Sequence, residues 1–301
     1  GVKVSFTTED GTDVFMGRTD TFYNLLEPQQ QKQASSSSPS KKSNPTLSLD
    51  TLRVFIPPPL RSAMATAGVL QSDDYVPMRD LFTSPSVSFA YERGWRQGFA
   101  PAGFPGADEE YDMVRKYFED VTKDVEGSTV VDMSCATGLF TRRLAKSNDY
   151  NRVIACDYSE SMLQEARRRI NSDPSLQTKS STTKLDLVRC DVAKIPMRTS
   201  SIDALHAGAA MHCWPDLDAG LGEIYRVLKP GGRYFATTFL STYFGSLQTA
   251  EGGQTGVNRQ AFQYFESVDV LRSMLVKAGF ENEKVSVEVL EPACVVIKCE
   301  K

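Results

Sequence analysis

From about residue 75 the chain alternates short apolar runs with stretches of helical period. Met113, Val114, Tyr117, Phe118 and Val121 fall on one helical face, and Asp108 can cap the helix they define. Thr129 to Met133 reads as a buried strand, Gly138 to Lys146 as a helix, and Arg152 to Cys156 as a second strand. Ser159 can cap a helix through Ile170. Leu185 to Cys190 and Ile202 to Ala207 are the third and fourth strands. Asp216 to Leu228 is a helix that Lys229-Pro230-Gly231-Gly232 stops and turns, before a fifth strand from Arg233 to Phe239. Ser267 to Ala278 is a helix ended by Gly279, and Lys284 to Leu290 and Cys294 to Lys298 are the last two strands.

Strand–helix alternation implies a parallel sheet with helices on both faces. The connection between the last two strands is too short for a parallel crossover, so they pair antiparallel. The expected fold is therefore α/β, a seven-stranded, mostly parallel sheet closed by an antiparallel C-terminal hairpin.

Upstream of this pattern the picture differs. Residues 1–28 show no clear period beyond a possible strand at Val2 to Phe6. Residues 29–60 read as a linker. Gln29 to Pro45 is polar and low in complexity, with too little apolar surface to offset chain entropy, and Pro57, Pro58 and Pro59 form a short stiff stretch. Residues 75–301 form the main domain.

Composition narrows the function classes. A net charge of -4 without a long basic block disfavours electrostatic nucleic-acid binding. No apolar run approaches the ~20 residues of a spanning helix; peripheral membrane association stays open. Cys135, Cys156, Cys190, Cys213, Cys294 and Cys299 form no CxxC pair, so they read as reduced core thiols, with neither a disulfide framework nor a metal site. The sequence begins at Gly1 rather than Met, which leaves any upstream targeting segment open.

The candidate chemistry sits at strand ends. In open α/β sheets ligands bind beyond the carboxyl ends of the strands, at the switch point of the topology. The loop Asp132-Met133-Ser134-Cys135-Ala136-Thr137-Gly138 has small residues that admit a ligand, and the next helix offers free amides and a partial positive charge. It lacks the three glycines of a dinucleotide fingerprint. That disfavours a nicotinamide-dependent oxidoreductase. Asp157, 25 residues past Asp132, suits a ribose, or else caps the next helix beside Ser159. Asp191 ends the third strand and suits an adenine amino group, or else forms a turn.

The ordered run VVDMSCATG, ACDYSESML, RCDVAKIPM, SIDALHAGAAMHCWPD and EIYRVLKPGGRYFATTF resembles class I S-adenosylmethionine (SAM)-dependent methyltransferases of Rossmann-like fold. It is similar to the branch related to ubiquinone/menaquinone methyltransferases. FTSPSVSFAYERGWRQGF and FPGADEEYDMV further resemble plastid-located methyltransferases of plants and algae. The resemblance covers about residues 76 to 301 and is specific for fold and cofactor, not for substrate. It implies SAM as cofactor, with Asp132 to Gly138 (including Ser134, Cys135 and Ala136) at the methionine moiety. It places Asp157 with Tyr158 at the ribose, Asp191 with Val192 at the adenine, Met162 near the adenosine, and Ala207 with Gly208 on the methyl side. Ser134 and Ala136 stand where the family has glycines. The acceptor is expected to be small or lipid-like; a non-catalytic SAM-fold scaffold is the alternative.

A base is needed only for a protonated nucleophile. His212, past the fourth strand, is the candidate base or else a packing group; His206 is expected inside the strand, in a structural role. Tyr91 to Arg96 reads as a lid or a packed helix, and Ser241 to Phe265 as a long binding loop with Tyr243, Phe244, Phe262, Tyr264 and Phe265 as possible pocket residues.

Overall fold

Every strand read from the apolar runs forms, and the ends move by few residues. The computed structural model describes residues 3–7, 13–18, 22–26, 88, 91–92, 96–123, 125–177, 182–241 and 265–301. The expected linker, Trp95 of the lid segment, and the loop residues Tyr243, Phe244, Phe262 and Tyr264 lie outside the described residues.

The strands are β1 (Lys3–Thr7), β2 (Asp13–Arg18), β3 (Tyr23–Asn24), β4 (Thr129–Met133), β5 (Arg152–Asp157), β6 (Lys184–Arg189), β7 (Ile202–Ala207), β8 (Leu228–Phe239), β9 (Val285–Leu290) and β10 (Cys294–Glu300). The helices are α1 (Ala107–Thr122), α2 (Leu139–Ser147), α3 (Glu160–Asn171), α4 (Leu217–Val227) and α5 (Val268–Ala278). One sheet runs β1-β2-β3-β6-β5-β4-β7-β8-β10-β9. Its centre, β6 to β8, is parallel, and β10 pairs antiparallel with both β8 and β9. This is the expected α/β architecture, with three further strands on the β6 edge.

Alternation along the strands covers both faces. On β4, Val130 belongs to the cluster with Val114, Phe118 and Leu144 of α1 and α2, while Val131 belongs to the larger cluster on the other face, which includes Leu221 of α4 and Leu271 of α5. Leu163, Ala166 and Ile170 of α3 close over Ala155 and Leu187. Burying one such side chain stabilises the fold by about 1.5–3 kcal/mol.

Ser159 caps α3 as expected, and Asp216 and Ser267, read as helix starts, also cap: the three accept from the amides of Met162, Ala219 and Val270. Asp108 does not cap α1. Gly106 is the N-cap, without a side-chain hydrogen bond, and Asp108 lies in the first turn, bonded to Arg143. A carboxylate there still favours the helix N-terminus.

The Lys229–Gly232 turn is also corrected. It lies within β8, as an irregularity: Ile202 pairs Leu228, and Ala204 pairs Arg233. Gly231 takes φ +76°, and its amide donates to the Lys301 carbonyl at 2.7 Å. The chain's last residue thus ties down the turn that was expected to precede the strand.

Candidate functional site

The chain leaves β4 in one direction to β5 and β6, and later reaches β7 and β8 on the other side. The topology therefore reverses between β4 and β7, where a crevice forms at the carboxyl ends. Residues 134–138 and 208–212 flank that point.

Asp157 ends β5 and is half-buried. Its Oδ2 accepts from the Ala136 amide and its Oδ1 from the Ser159 amide, both at 2.8 Å. Burial pushes its carboxyl up to about 6, against the opposing pull of those amides. A carboxylate has about four acceptor sites, so accepting capacity remains toward the crevice. The capping alternative is realised alongside, because Asp157 and Ser159 share the start of α3.

Asp191 lies two residues past β6 and is half-buried. Its Oδ1 accepts from the Ala193 amide at 2.9 Å, so it forms the turn. Val192 is buried, with a methyl carbon 3.5 Å from where a Cβ on Gly220 would stand.

Asp132 differs from expectation. It shares the α1/α2 face of β4 with Val130, since side chains alternate. It is buried, its Oδ1 is 2.9 Å from His206 Nδ1, and its Oδ2 accepts from Thr141 Oγ1 of α2. Both oxygens are thus engaged beneath the loop rather than in the crevice. Glu110 of α1, fully buried, approaches the other side of His206, with Oε1 3.7 Å from Nε2. Thr237 extends the polar layer: its Oγ1 donates to Glu110 and accepts from the Ala209 amide. Burial opposes a charge on His206, but the hydrogen bond with Asp132 and the negative charges of Asp132 and Glu110 outweigh it and raise its pKa to about 9. The two carboxylates thus favour the protonated ring, in keeping with a structural role for His206 inside β7.

The loop keeps a glycine-like backbone without its glycines. Ser134 has φ +58° and Ala136 φ +48°, a region that costs an L-residue roughly 1–2 kcal/mol. Ser134 is held by Trp214, whose Nε1 donates to Oγ at 3.0 Å. Gly138 caps α2 at φ +76°. The Cys135 amide donates to Cys156, and its side chain packs with Leu163 and Ala166. Burial, then Asp157 and Asp132, holds that thiol well above its usual range, which disfavours the thiolate a nucleophile needs. All six cysteines are free.

Tyr158 is half-buried, and its carbonyl accepts from Arg189. Met162 is buried, in the first turn of α3. Ala207 ends β7 and is fully buried. At Gly208 a Cβ would stand 2.9 Å from His206 Cε1 and 3.0 Å from Glu110 Oε1, so a larger residue would have to push the buried pair aside. His212 is buried in a short 3-10 turn, Nδ1 3.5 Å from Thr238 Oγ1 and its ring edge-on to Phe239 at 4.9 Å. Phe99 and Phe104 pack on the same Phe239, making an aromatic wall there.

Sequence reasoning missed Glu92 as an individual residue. It binds Thr137, Arg142 and Arg169, on the loop and on both following helices. Its only signal was membership of the segment from Tyr91 to Arg96.

Two surface hollows lie elsewhere. One of about 420 Å³ sits beside Tyr117, Glu288 and Lys298, and one of about 370 Å³ beside Asp218, Val270 and Lys277. Neither is lined by residues 134–138, Asp157, Asp191 or residues 208–212. The convergence of strand-end groups outweighs size in locating the site.

Residues 131–236 match the family model described as a methyltransferase domain. Two Arabidopsis thaliana proteins named as chloroplastic methyltransferases are 48% identical over 172 residues and 43% identical over 178 residues. The matches cover 56% and 59% of this chain, and 47% and 48% of the relatives. The chain thus spans about half the length of these relatives. The ubiquinone/menaquinone C-methyltransferase UbiE of Desulfotalea psychrophila is 25% identical, over 65% of this chain and 90% of its own. Among solved structures, a SAM-dependent methyltransferase from Aquifex aeolicus aligns at TM-score 0.50 and 20% identity, covering 72% of this chain and 98% of that one. The resemblance read from the motifs holds, and the fold is the Rossmann-like methyltransferase fold.

Proposed function

We propose that the chain is a SAM-dependent methyltransferase acting on a small or lipid-like acceptor. The observation that carries the reading is Asp157 at the switch point, holding the Ala136 amide while keeping acceptor capacity toward the crevice. The methyltransferase-domain match supports it.

The donor set suits the cofactor. Asp157 and Tyr158 take the ribose, and Asp191 and Val192 take the adenine, over a floor that includes Met162. The loop backbone from Ser134 to Gly138 and the amides opening α2 take the methionine end. Asp132 supports this loop from beneath. Ala207 and Gly208 border the methyl side.

SAM supplies an electrophilic methyl on a sulfonium. The chain's own work is to bind, align and exclude water. Asp157 fixes the ribose, and with it the direction of the methyl group. The wall of Phe99, Phe104 and Phe239 keeps water from the far side and suits an apolar acceptor. His212 beside Phe239 is the base for an acceptor that starts protonated. Peripheral attachment to a membrane would deliver a lipid-like acceptor. Among the described residues no helix is long and apolar enough to cross a membrane. The chloroplastic names of two relatives support a plastid location.

Calorimetry with SAM and with NAD tests the cofactor: SAM binds and NAD does not, and the reverse contradicts the proposal. A non-catalytic scaffold is the second reading, favoured by Ser134 and Ala136 in place of glycines. Transfer of a labelled methyl from SAM into extracted quinones and lipids separates the two.

A further inference from the structure

Glu92 lies upstream of the sheet, yet its carboxylate reaches the loop after β4. Oε2 accepts from Arg142 Nη2 and Arg169 Nη1, each at 2.8 Å. Oε1 accepts from Thr137 Oγ1 and, at 3.3 Å, from Arg142 Nη1. The side chains of Glu92, Arg142 and Arg169 are only 12%, 13% and 15% exposed, so solvent screens these pairs little. Arg142 Nη1 also donates to the Thr137 carbonyl at 3.0 Å. Four residues earlier, the buried Ser88 hydroxyl lies 2.8 Å from that of Ser161, at the start of α3. The upstream segment is thus bound to α2, α3 and the loop together.

That loop needs outside support. Ser134 and Ala136 occupy left-handed backbone that glycine adopts freely and L-residues do not. Three side chains from elsewhere hold it: Trp214 at Ser134, Asp157 at Ala136 and Glu92 at Thr137. The first two belong to the sheet's own loops. The third is contributed by the upstream segment.

We infer that Glu92 is a positioning residue for the cofactor loop, latching Thr137 and, through Arg142, the first turn of α2 in the shape that receives the methionine end of SAM. The inference rests on the methyltransferase reading. The latch replaces, from outside, the conformational preference that glycines would supply within the loop.

The test compares wild type, Glu92→Gln, Glu92→Asp and the surface control Lys146→Ala for S-adenosylhomocysteine affinity and for melting of the free protein. Glu92→Gln should weaken binding about tenfold, Glu92→Asp less, and Lys146→Ala less than about twofold. The second readout is tryptophan emission. The sequence has two tryptophans, so a Trp95→Phe background isolates Trp214, which bonds the loop at Ser134. Glu92→Gln should shift that emission in the free protein. An unchanged affinity and emission overturns the inference. So does an equal affinity loss in Gln and Asp that only follows lowered melting. If Glu92→Gln fails to fold, Thr137→Val removes the same contact from the loop side and must reproduce both effects. Wild type that fails to bind S-adenosylhomocysteine refutes the cofactor reading itself, whereas wild-type binding with an indifferent Glu92→Gln refutes only the latch.

Discussion

Asp132 and His206 are register partners on the adjacent parallel strands β4 and β7, and their side chains meet at 2.9 Å within the sheet's buried α1/α2 face. The acidic residue that opens the loop after β4 thereby bonds both a histidine and a threonine. With Glu110 it favours the protonated form of His206, and Gly208 lies close over the pair.

A pH dependence of stability follows. His206 is raised from 6.5 to about 9. Its contribution is therefore complete below about pH 6.5 and is lost as pH rises through about 9. The loss is on the order of 3 kcal/mol at most. Urea unfolding at about pH 6 and about pH 9.5 should show it, and His206→Gln should flatten the difference.

Gly208→Ala should destabilise by about 1–3 kcal/mol, because the new methyl meets His206 and Glu110 at 3.0 Å or less. Denaturant midpoints check this. A neutral result would mean that the buried pair moves aside freely.

Ala136→Gly should leave the fold intact and raise stability by up to about 1 kcal/mol, since it relieves left-handed backbone at φ +48°. Thermal melting reads the sign. A clear loss would show that the loop is not strained there.

Asp157→Ala should weaken S-adenosylhomocysteine binding by roughly 1–3 kcal/mol. The wild-type carboxyl sits at about 6, and the ribose hydroxyls need it ionised. Affinity should therefore fall as pH drops through about 6, and Asp157→Asn should lose that dependence. In the free protein the sign is opposite. The neutral form is favoured, and the associated stability is lost as pH rises from 3.8 through about 6. Calorimetry across this range separates ligand from fold.

The fold was legible because each element carried its own signal. Val130 and Val131 declare a strand buried on both faces, and Ser159, Asp216 and Ser267 announce helix starts that form. Asp157 and Asp191 were legible as strand-end groups. The pairing of Asp132 with His206 was not foreseen because strand-end position was weighed above the two-residue period, which puts it with Val130 and opposite His206. Glu110 and Glu92 carry no local signature. Their partners Thr237 and Arg169 are distant in sequence, and only the folded sheet brings them together. The Lys229–Gly232 stretch ends the helix as read, but lies inside β8 as the irregularity between the Leu228 and Arg233 pairs. Fold alone does not name an acceptor, and no side chain along the aromatic wall does so either.

The most direct test of the central claim is a crystal structure with S-adenosylhomocysteine. The account predicts the ligand between residues 134–138 and 208–212, its ribose hydroxyls bonded to Asp157 and Asp132 still paired with His206. Ligand bound elsewhere, or an adenosine that leaves Asp157 untouched, would contradict it.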